Sequence, residues 1–311
     1  MKKNSTFFII SLIAILLTAC KPSTPKKKKT SSSSGQVTTS VSLDPTSVIP
    51  GPTSGDVPTS IVPGPTSSAA PTSSSGTSAA PSSSVEPIPP DDYYKECEGL
   101  SGTALLNKLY EINQPKNPSY DWERYEDADE AEDDSSSILC LYTRHNIKKT
   151  NHCGSYSWDH WNREHIWTQS LWPASDKDNH NIFACEGQIN NYRGNLPFAE
   201  GGETVVVFGH TTGCKMVKGT SFEPCDEAKG EVARSVMYGT VAYKYTMTKE
   251  IDSIYLALKW HLEHPITSRD IKRNEAVYKN QGNRNPFVDH PEYGCRIWGS
   301  TNSETEQLCS K

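Results

Sequence analysis

Residues 21–90 are mostly Ser, Thr, Pro and Gly and contain no aromatic residue. A tract of that composition cannot bury enough apolar surface to offset the entropy of ordering it. It therefore confines folding to roughly residues 91–311, a length that supports one sizeable core. All seven Trp, all 14 Tyr and all nine His fall in that part.

The formal charge of −6 describes the whole chain and is unevenly spread. Residues 91–311 carry 24 Lys and Arg against 34 Asp and Glu, and residues 121–134 alone supply nine acids and one Arg. That acidic run reads as a solvated loop. The remainder is nearly balanced, so the chain lacks the strongly basic surface usual in nucleic-acid binders. A local basic strip together with a bound cation could still serve a small phosphate-handling site.

Lys2 and Lys3 precede an apolar run from Phe7 to Leu17, too short to span a bilayer comfortably and laid out like a signal peptide. It ends Leu17-Thr18-Ala19-Cys20. This resembles the lipobox of bacterial lipoproteins. The resemblance implies a leader over 1–19 and acyl chains on Cys20 that anchor the mature chain to the outer side of a membrane. Lys26–Lys29 follow, each able to contribute about 1 kcal/mol near an anionic surface. Pro50–Ser54 recurs as Pro63–Ser67, which is low-complexity sequence and not a domain repeat. Residues 20–90 thus read as a disordered linker, reaching roughly 45 Å as a flexible coil.

Eight further cysteines (97, 140, 153, 185, 214, 225, 295 and 309) form an even set in a chain bound for an oxidising compartment. Disulfides are the expectation, with connectivity open. Zinc is disfavoured, because no two cysteines have the C-x2-C spacing.

Periodicity predicts a helix over 103–112, with Leu105, Leu106, Leu109 and Ile112 on one face. Thr204–Phe208 predicts a short buried strand. A long helix is predicted over 226–248, capped by Asp226 and striped by Val232, Val236, Thr240 and Val241. Another follows over 251–263, with Ile251, Tyr255, Leu258 and Leu262 inward and Pro265 as its stop. Thr267 and Asp270 form a capping box for a helix ending near Gly282. Short strands in the middle and helices in the second half make the fold class α+β.

The chemistry concentrates between Trp161 and Asn195. Glu164 is a hard oxygen ligand and Asn190 offers a carbonyl oxygen, a pair that suits Mg²⁺, which takes few protein ligands and keeps its waters. His165, neutral near pH 7, can take a proton from an attacking water. Asn190 and Arg193 share a face if 185–193 is helical. Adjacent strand residues point oppositely, so Glu164 and His165 can serve one site only at a strand end or bulge. His180, His210 and His290 read as structural or surface imidazoles.

Trp161-Asn-Arg-Glu-His165 with Gln169-Ser170 resembles the opening motif of the bacterial endonuclease I family, secreted non-specific nucleases of the ββα-metal (His-Me finger) class. The resemblance continues through Asp178-Asn-His180, Asn190 and Arg193-Gly-Asn195-Leu-Pro-Phe198. It then runs through Phe222-Glu-Pro224, Lys229-Gly230, Ala233-Arg234, Lys259-Trp-His-Leu262 and Arg273-Asn-Glu275 to Gln281–Phe287 and Asp289–Tyr293. It implies a ββα-metal core with a mostly helical remainder in a nuclease domain over 91–311. It implies His165 as general base, and Glu164 and Asn190 as ligands of Mg²⁺, with Mn²⁺ or Ca²⁺ as substitutes. An Arg on the scissile phosphate is expected, Arg193 first and Arg284 second. The ion would stabilise the leaving 3′ oxygen, so products should carry 5′-phosphates. Two positions depart from the family pattern, Thr168 and Ala184, where the family often has Pro.

The expectation is a monomeric, membrane-anchored, metal-dependent endonuclease acting on DNA, with RNA open as a further substrate and no protein partner implied. Two alternatives stand beside it. One is an inactive nucleic-acid-binding surface lipoprotein. The other is a metal phosphodiesterase for small substrates.

Overall fold

The computed structural model describes residues 89, 90, 92–152 and 156–311. The leader, Cys20, the lysine run, the low-complexity tract and Cys153 lie outside the described residues.

The architecture is α+β, as composition and periodicity predict. Helices α1 (Gly102–Ile112) and α2 (Trp122–Ala128) precede a two-stranded antiparallel sheet of β1 (Ser137–Leu139) and β2 (Asn146–Lys148). A hairpin of β3 (Trp161–His165) and β4 (Ile182–Glu186) leads directly into α3 (Gly187–Arg193). A three-stranded antiparallel sheet follows, β5 (Glu203–Val207), β6 (His210–Val217) and β7 (Ser221–Glu223). The rest is helical: α4 (Asp226–Tyr243), α5 (Ile254–Glu263), α6 (Ser268–Gln281), α7 (Pro286–Asp289), α8 (Tyr293–Trp298) and α9 (Ser303–Cys309). Among the described residues no helix is long and apolar enough to cross a membrane.

The central helix is α4, buried along its length from Ala228 to Ala242 and not only on the Val232/Val236/Thr240/Val241 stripe. Gly239 explains how a large aromatic reaches it. A Cβ there would stand 2.1 Å from Trp167 Nε1, so only glycine lets the indole seat on the helix backbone. That indole donates to the Ser235 and Val236 carbonyls. This contact ties the loop after β3 to the core. The helix ends at Tyr243, short of the predicted 248, because Lys244 turns into the left-handed region with φ 58°. Asp226 is its first residue and not its cap; Cys225 holds the cap position without a side-chain bond.

α5 begins at Ile254, where the Ser253 side chain accepts from the Leu256 N–H. Its buried face is Leu256, Ala257, Leu258, Trp260 and His261, while Leu262 points outward at 42% exposure. α6 carries the capping box in full and ends on Gly282 at φ 87°. The strand at 203–207 is half-buried, not buried: Val205 and Val207 face the core while Val206 is exposed. It is an edge strand with one wet face.

The acidic run is more than a solvated loop. Asp129 at its centre is fully buried and pairs with Arg273 at 2.5 Å and Arg269 at 3.0 Å. Its Oδ2 accepts the Ala184 N–H at 2.7 Å. A proline at 184 would lack that donor, which accounts for one departure from the family pattern. Glu130 pairs with Lys149 and Lys272, and Asp134 with Lys148.

Among the described residues, cysteine pairing falls short of the expectation of several disulfides. Cys295 and Cys309 join α8 to α9 by a disulfide. Cys97, Cys140, Cys185, Cys214 and Cys225 are buried thiols serving as small apolar core residues.

Candidate active site

The β3–β4 hairpin pairs Trp161 with Glu186 through to His165 with Ile182, and α3 starts at the next residue after β4. His165 is the last residue of β3. The strand-end condition for Glu164 and His165 to serve one site is therefore met.

The loop joining β3 to β4 is held by the Asp178–Asn181 stretch. Asp178 Oδ2 accepts from the Tyr238 and Tyr243 hydroxyls at 2.7 and 2.8 Å. Asn181 Oδ1 accepts the Trp167 N–H at 2.7 Å. His180 is buried, its Nε2 at 3.1 Å from the Asn283 carbonyl oxygen. The motif Asp-Asn-His-Asn is thus scaffolding for the loop that joins β3 to β4.

Glu164 is only 2% exposed. Its Oε1 accepts from the Tyr142 hydroxyl at 2.7 Å and lies 3.3 Å from Arg193 Nη1. Burial raises its pKa, while Arg193 and Tyr142 pull it back. Both Oε1 partners come from inside the protein, and the His165 backbone N–H also stabilises the carboxylate.

His165 Nε2 lies 2.9 Å from the Asp176 carbonyl oxygen. A carbonyl only accepts, so Nε2 carries the hydrogen and the neutral ring keeps a bare Nδ1. Burial pushes the imidazole pKa down to about 4, so the ring is neutral at pH 7. The Tyr120 ring meets it edge-on, 6.1 Å between centroids.

Asn190 sits in the middle of α3. Its Nδ2 donates to Asn162 Oδ1 at 2.6 Å and to the Arg163 carbonyl at 3.0 Å. Both amide hydrogens are spent on β3, which leaves Oδ1 as the free end of the side chain. The unit thus places the Glu164 carboxylate and Asn190 Oδ1 on adjoining elements, since Asn190 is bonded to the carbonyl of Arg163, the residue before Glu164. One carboxylate plus one carbonyl fits a small hard divalent cation that keeps most of its waters. Among the described residues, no group of three or more His, Cys, Asp or Glu forms an all-protein cage.

Arg193 shares the β3-facing side of α3 with Asn190, but it does not face a phosphate. It is fully buried, donating to the His165 and Ile166 carbonyls at 2.7 Å each and pairing with Glu164 and Glu250. Its guanidinium bolts α3 to the end of β3 and orients Glu164. Arg284 is likewise fully buried and paired with Asp289 and Glu275. Neither Arg is exposed to meet a phosphate in this structure: each fork is buried against internal carboxylates, and Arg193 Nε and Arg284 Nη1 are buried without a partner.

Sequence reading misses Tyr142, Asn162, Glu250 and the Asp176 carbonyl. Tyr142 and Glu250 stand 22 and 57 residues from the groups they serve, Glu164 and Arg193. Burial raises Glu250 to about 7 against the pull of Arg193. Only Asn162 carries a local signal: it lies two residues before Glu164, on the same side of β3.

A hairpin that ends in a buried carboxylate and a neutral imidazole, running straight into a helix that carries an amide, is the ββα arrangement that the resemblance to the endonuclease I family implies. The Endonuclease I family model matches residues 101–292, and the chain belongs to the endonuclease I family. It is similar to an extracellular ribonuclease of Bacillus amyloliquefaciens, 33% identical over 72% of this chain and 86% of the relative. An extracellular ribonuclease of Bacillus subtilis is 31% identical over 73% and 86%. An extracellular deoxyribonuclease of Aeromonas hydrophila is 25% identical over 42% and 57%. The protein is therefore a nuclease, its substrate is nucleic acid, and its family generally depends on a divalent metal.

Proposed function

We propose that this protein is a Mg²⁺-dependent, sequence-non-specific endonuclease that cuts DNA and RNA outside the cell, leaving 5′-phosphate ends. The observation that supports this reading is that β3 and α3 bring Glu164, His165 and Asn190 together on one ββα unit, with Asn190 Oδ1 and His165 Nδ1 turned away from the groups that hold the two side chains. Glu164 and Asn190 would hold the ion, which supplies positive charge for the phosphate and the leaving 3′ oxygen. Mn²⁺ or Ca²⁺ would occupy the same oxygens. His165 takes a proton from water through Nδ1, while the Asp176 carbonyl fixes its ring through Nε2. Arg193 opposes the upward pull of burial on Glu164 and aims its carboxylate, and Tyr142 donates to the same oxygen. Both substrates are included because relatives of the two kinds match.

The Leu17–Cys20 motif supports export and a lipid anchor on Cys20, with residues 20–90 as the tether and the enzyme a monomer at the outer surface. The test is digestion of plasmid DNA and of an RNA transcript by the full chain with Mg²⁺ and with EDTA, followed by end analysis. Cleavage that requires the metal and yields 5′-phosphates is expected. Undiminished cleavage in EDTA, or 3′-phosphate ends, contradicts the reading.

A further inference from the structure

Five aromatic side chains outside the catalytic set lie along the chain segments that lead away from Asn190: Tyr156 and Trp158, two residues apart, and His210 and Phe208, two residues apart across a hairpin tip, with His145 and His210 stacked on Trp158. Asn190 Nδ2 is bonded to Asn162. Next to Asn162 lies Tyr156: a Cβ built on Gly187, the first residue of α3, would sit 3.6 Å from Asn162 Nδ2 and 3.1 Å from Tyr156 Cδ1. The tyrosine ring is thus seated at the bare start of the helix that carries Asn190, yet it is 54% exposed.

Two residues on, Trp158 is the middle of a three-ring stack. His145 lies on one face at 3.9 Å and an interplanar angle of 5°, and His210 on the other at 4.0 Å and 13°. His145 is pinned by Thr143 Oγ1 and the Trp158 carbonyl, both at 2.8 Å. The outer member, His210, is exposed at the tip of the β5–β6 hairpin. That tip also holds Phe208, 48% exposed and at φ 49°, a region a bulky residue rarely adopts. An aromatic kept in such a conformation at the surface contributes nothing to the core. With Gly209 at φ 82°, Phe208 forms the two-residue turn between paired Val207 and His210, where positive φ is required at both positions and Asn is the favoured residue at the first, so an aromatic there is not chosen for the turn.

We propose that Tyr156, the His210 end of the Trp158 stack and Phe208 form a stacking track for unpaired bases of the substrate strand. Every base has a π face, so a row of aromatic rings binds a single strand without reading its sequence. A duplex keeps its bases stacked on one another and offers the track nothing. The track begins beside the amide that the proposed function assigns to the metal, which makes it continuous with the cleavage site. This inference rests on that reading for its direction and adds a substrate class: single-stranded nucleic acid and unpaired loops are preferred over duplex.

The test compares kcat/KM on a single-stranded oligonucleotide and its duplex for the wild-type full chain, Tyr156→Ala, Tyr156→Phe and Phe208→Gly. Glycine at 208 relieves the backbone, so loss of fold is not the expected effect of that change. A second arm measures the affinity of labelled oligonucleotides for these changes placed in a His165→Ala background. Removing either ring should lower the single-strand to duplex ratio about tenfold and weaken oligonucleotide binding by a similar factor, more for six nucleotides than for two. Tyr156→Phe should retain the wild-type ratio, since the ring and not the hydroxyl stacks. A ratio unchanged in Tyr156→Ala and Phe208→Gly, or equal losses on both substrates, overturns the track. Wild-type cleavage that ignores EDTA instead sinks the metal-dependent reading, and the two failures are separately visible.

Discussion

At the scale of single residues, the site is set by where hydrogen atoms are spent. The Asp176 carbonyl takes the one hydrogen of His165, and β3 takes both from the Asn190 amide. What remains free is acceptor, as metal binding and proton abstraction require. The types and spacing of Glu164, His165 and Asn190 are legible in sequence, because they lie on one short supersecondary unit. Their orientation is not, because the groups that fix it are a backbone carbonyl, Tyr142 and Glu250. Arg193 shows the limit most clearly. A guanidinium three residues from a candidate ligand reads as a phosphate contact until burial shows that it is paired with Glu164 and Glu250. One prediction belongs here. A free imidazole would impose an acidic limb on the rate near pH 6.5. Burial lowers His165 to about 4, so its base form persists and the limb should move well below 6.5. A kcat/KM profile from pH 8 to 4 checks this, and half-loss at 6.5 contradicts it.

At the scale of elements, the ion pairs do mechanical work. Arg193 joins α3 to β3, and Arg269 and Arg273 join α6 to Asp129 after α2. Capping boxes and hydrophobic stripes are local, so α1 and α6 are readable from sequence almost residue by residue. The end of α4 and the seating of Trp167 on Gly239 are tertiary facts with no local sign. Arg193→Met should leave Glu164 and Glu250 as buried carboxylates without their cation. The cost should be about 3–5 kcal/mol of stability, read as a lowered urea midpoint. If Arg193 served only a phosphate, stability would be untouched and only turnover would fall.

At the scale of the whole molecule, acid is the lever. His165, His180 and His261 are each lowered to about 4 by burial. Between pH 6.5 and 4 the unfolded chain binds protons that these folded imidazoles refuse, so stability falls as pH falls through that window. Each contributes a slope of up to about 1.4 kcal/mol per pH unit. Glu250 works the other way: raised to about 7, it takes its proton first in the folded state and returns part of the loss. The net prediction is a urea midpoint that drops steadily from pH 6.5 to 5, and a flat midpoint there contradicts it. Cys20 sets the other property at this scale. Cys20→Ser should release the protein from membranes or leave it unprocessed, as fractionation with labelled fatty acid would show. A variant that still takes up label and stays bound contradicts the anchor.

The central claim is the division of labour among Glu164, His165 and Asn190. Calorimetric Mg²⁺ titration beside a plasmid-nicking time course, on the three alanine variants, tests it most directly. His165→Ala should lose on the order of 10²–10⁴-fold in turnover with metal affinity nearly unchanged. Glu164→Ala should lose metal binding and turnover together. Asn190→Ala should do so less severely at high Mg²⁺, where water replaces a neutral carbonyl. If His165→Ala loses metal as badly as Glu164→Ala, or cuts at the wild-type rate, the assignment of base and ligands is wrong.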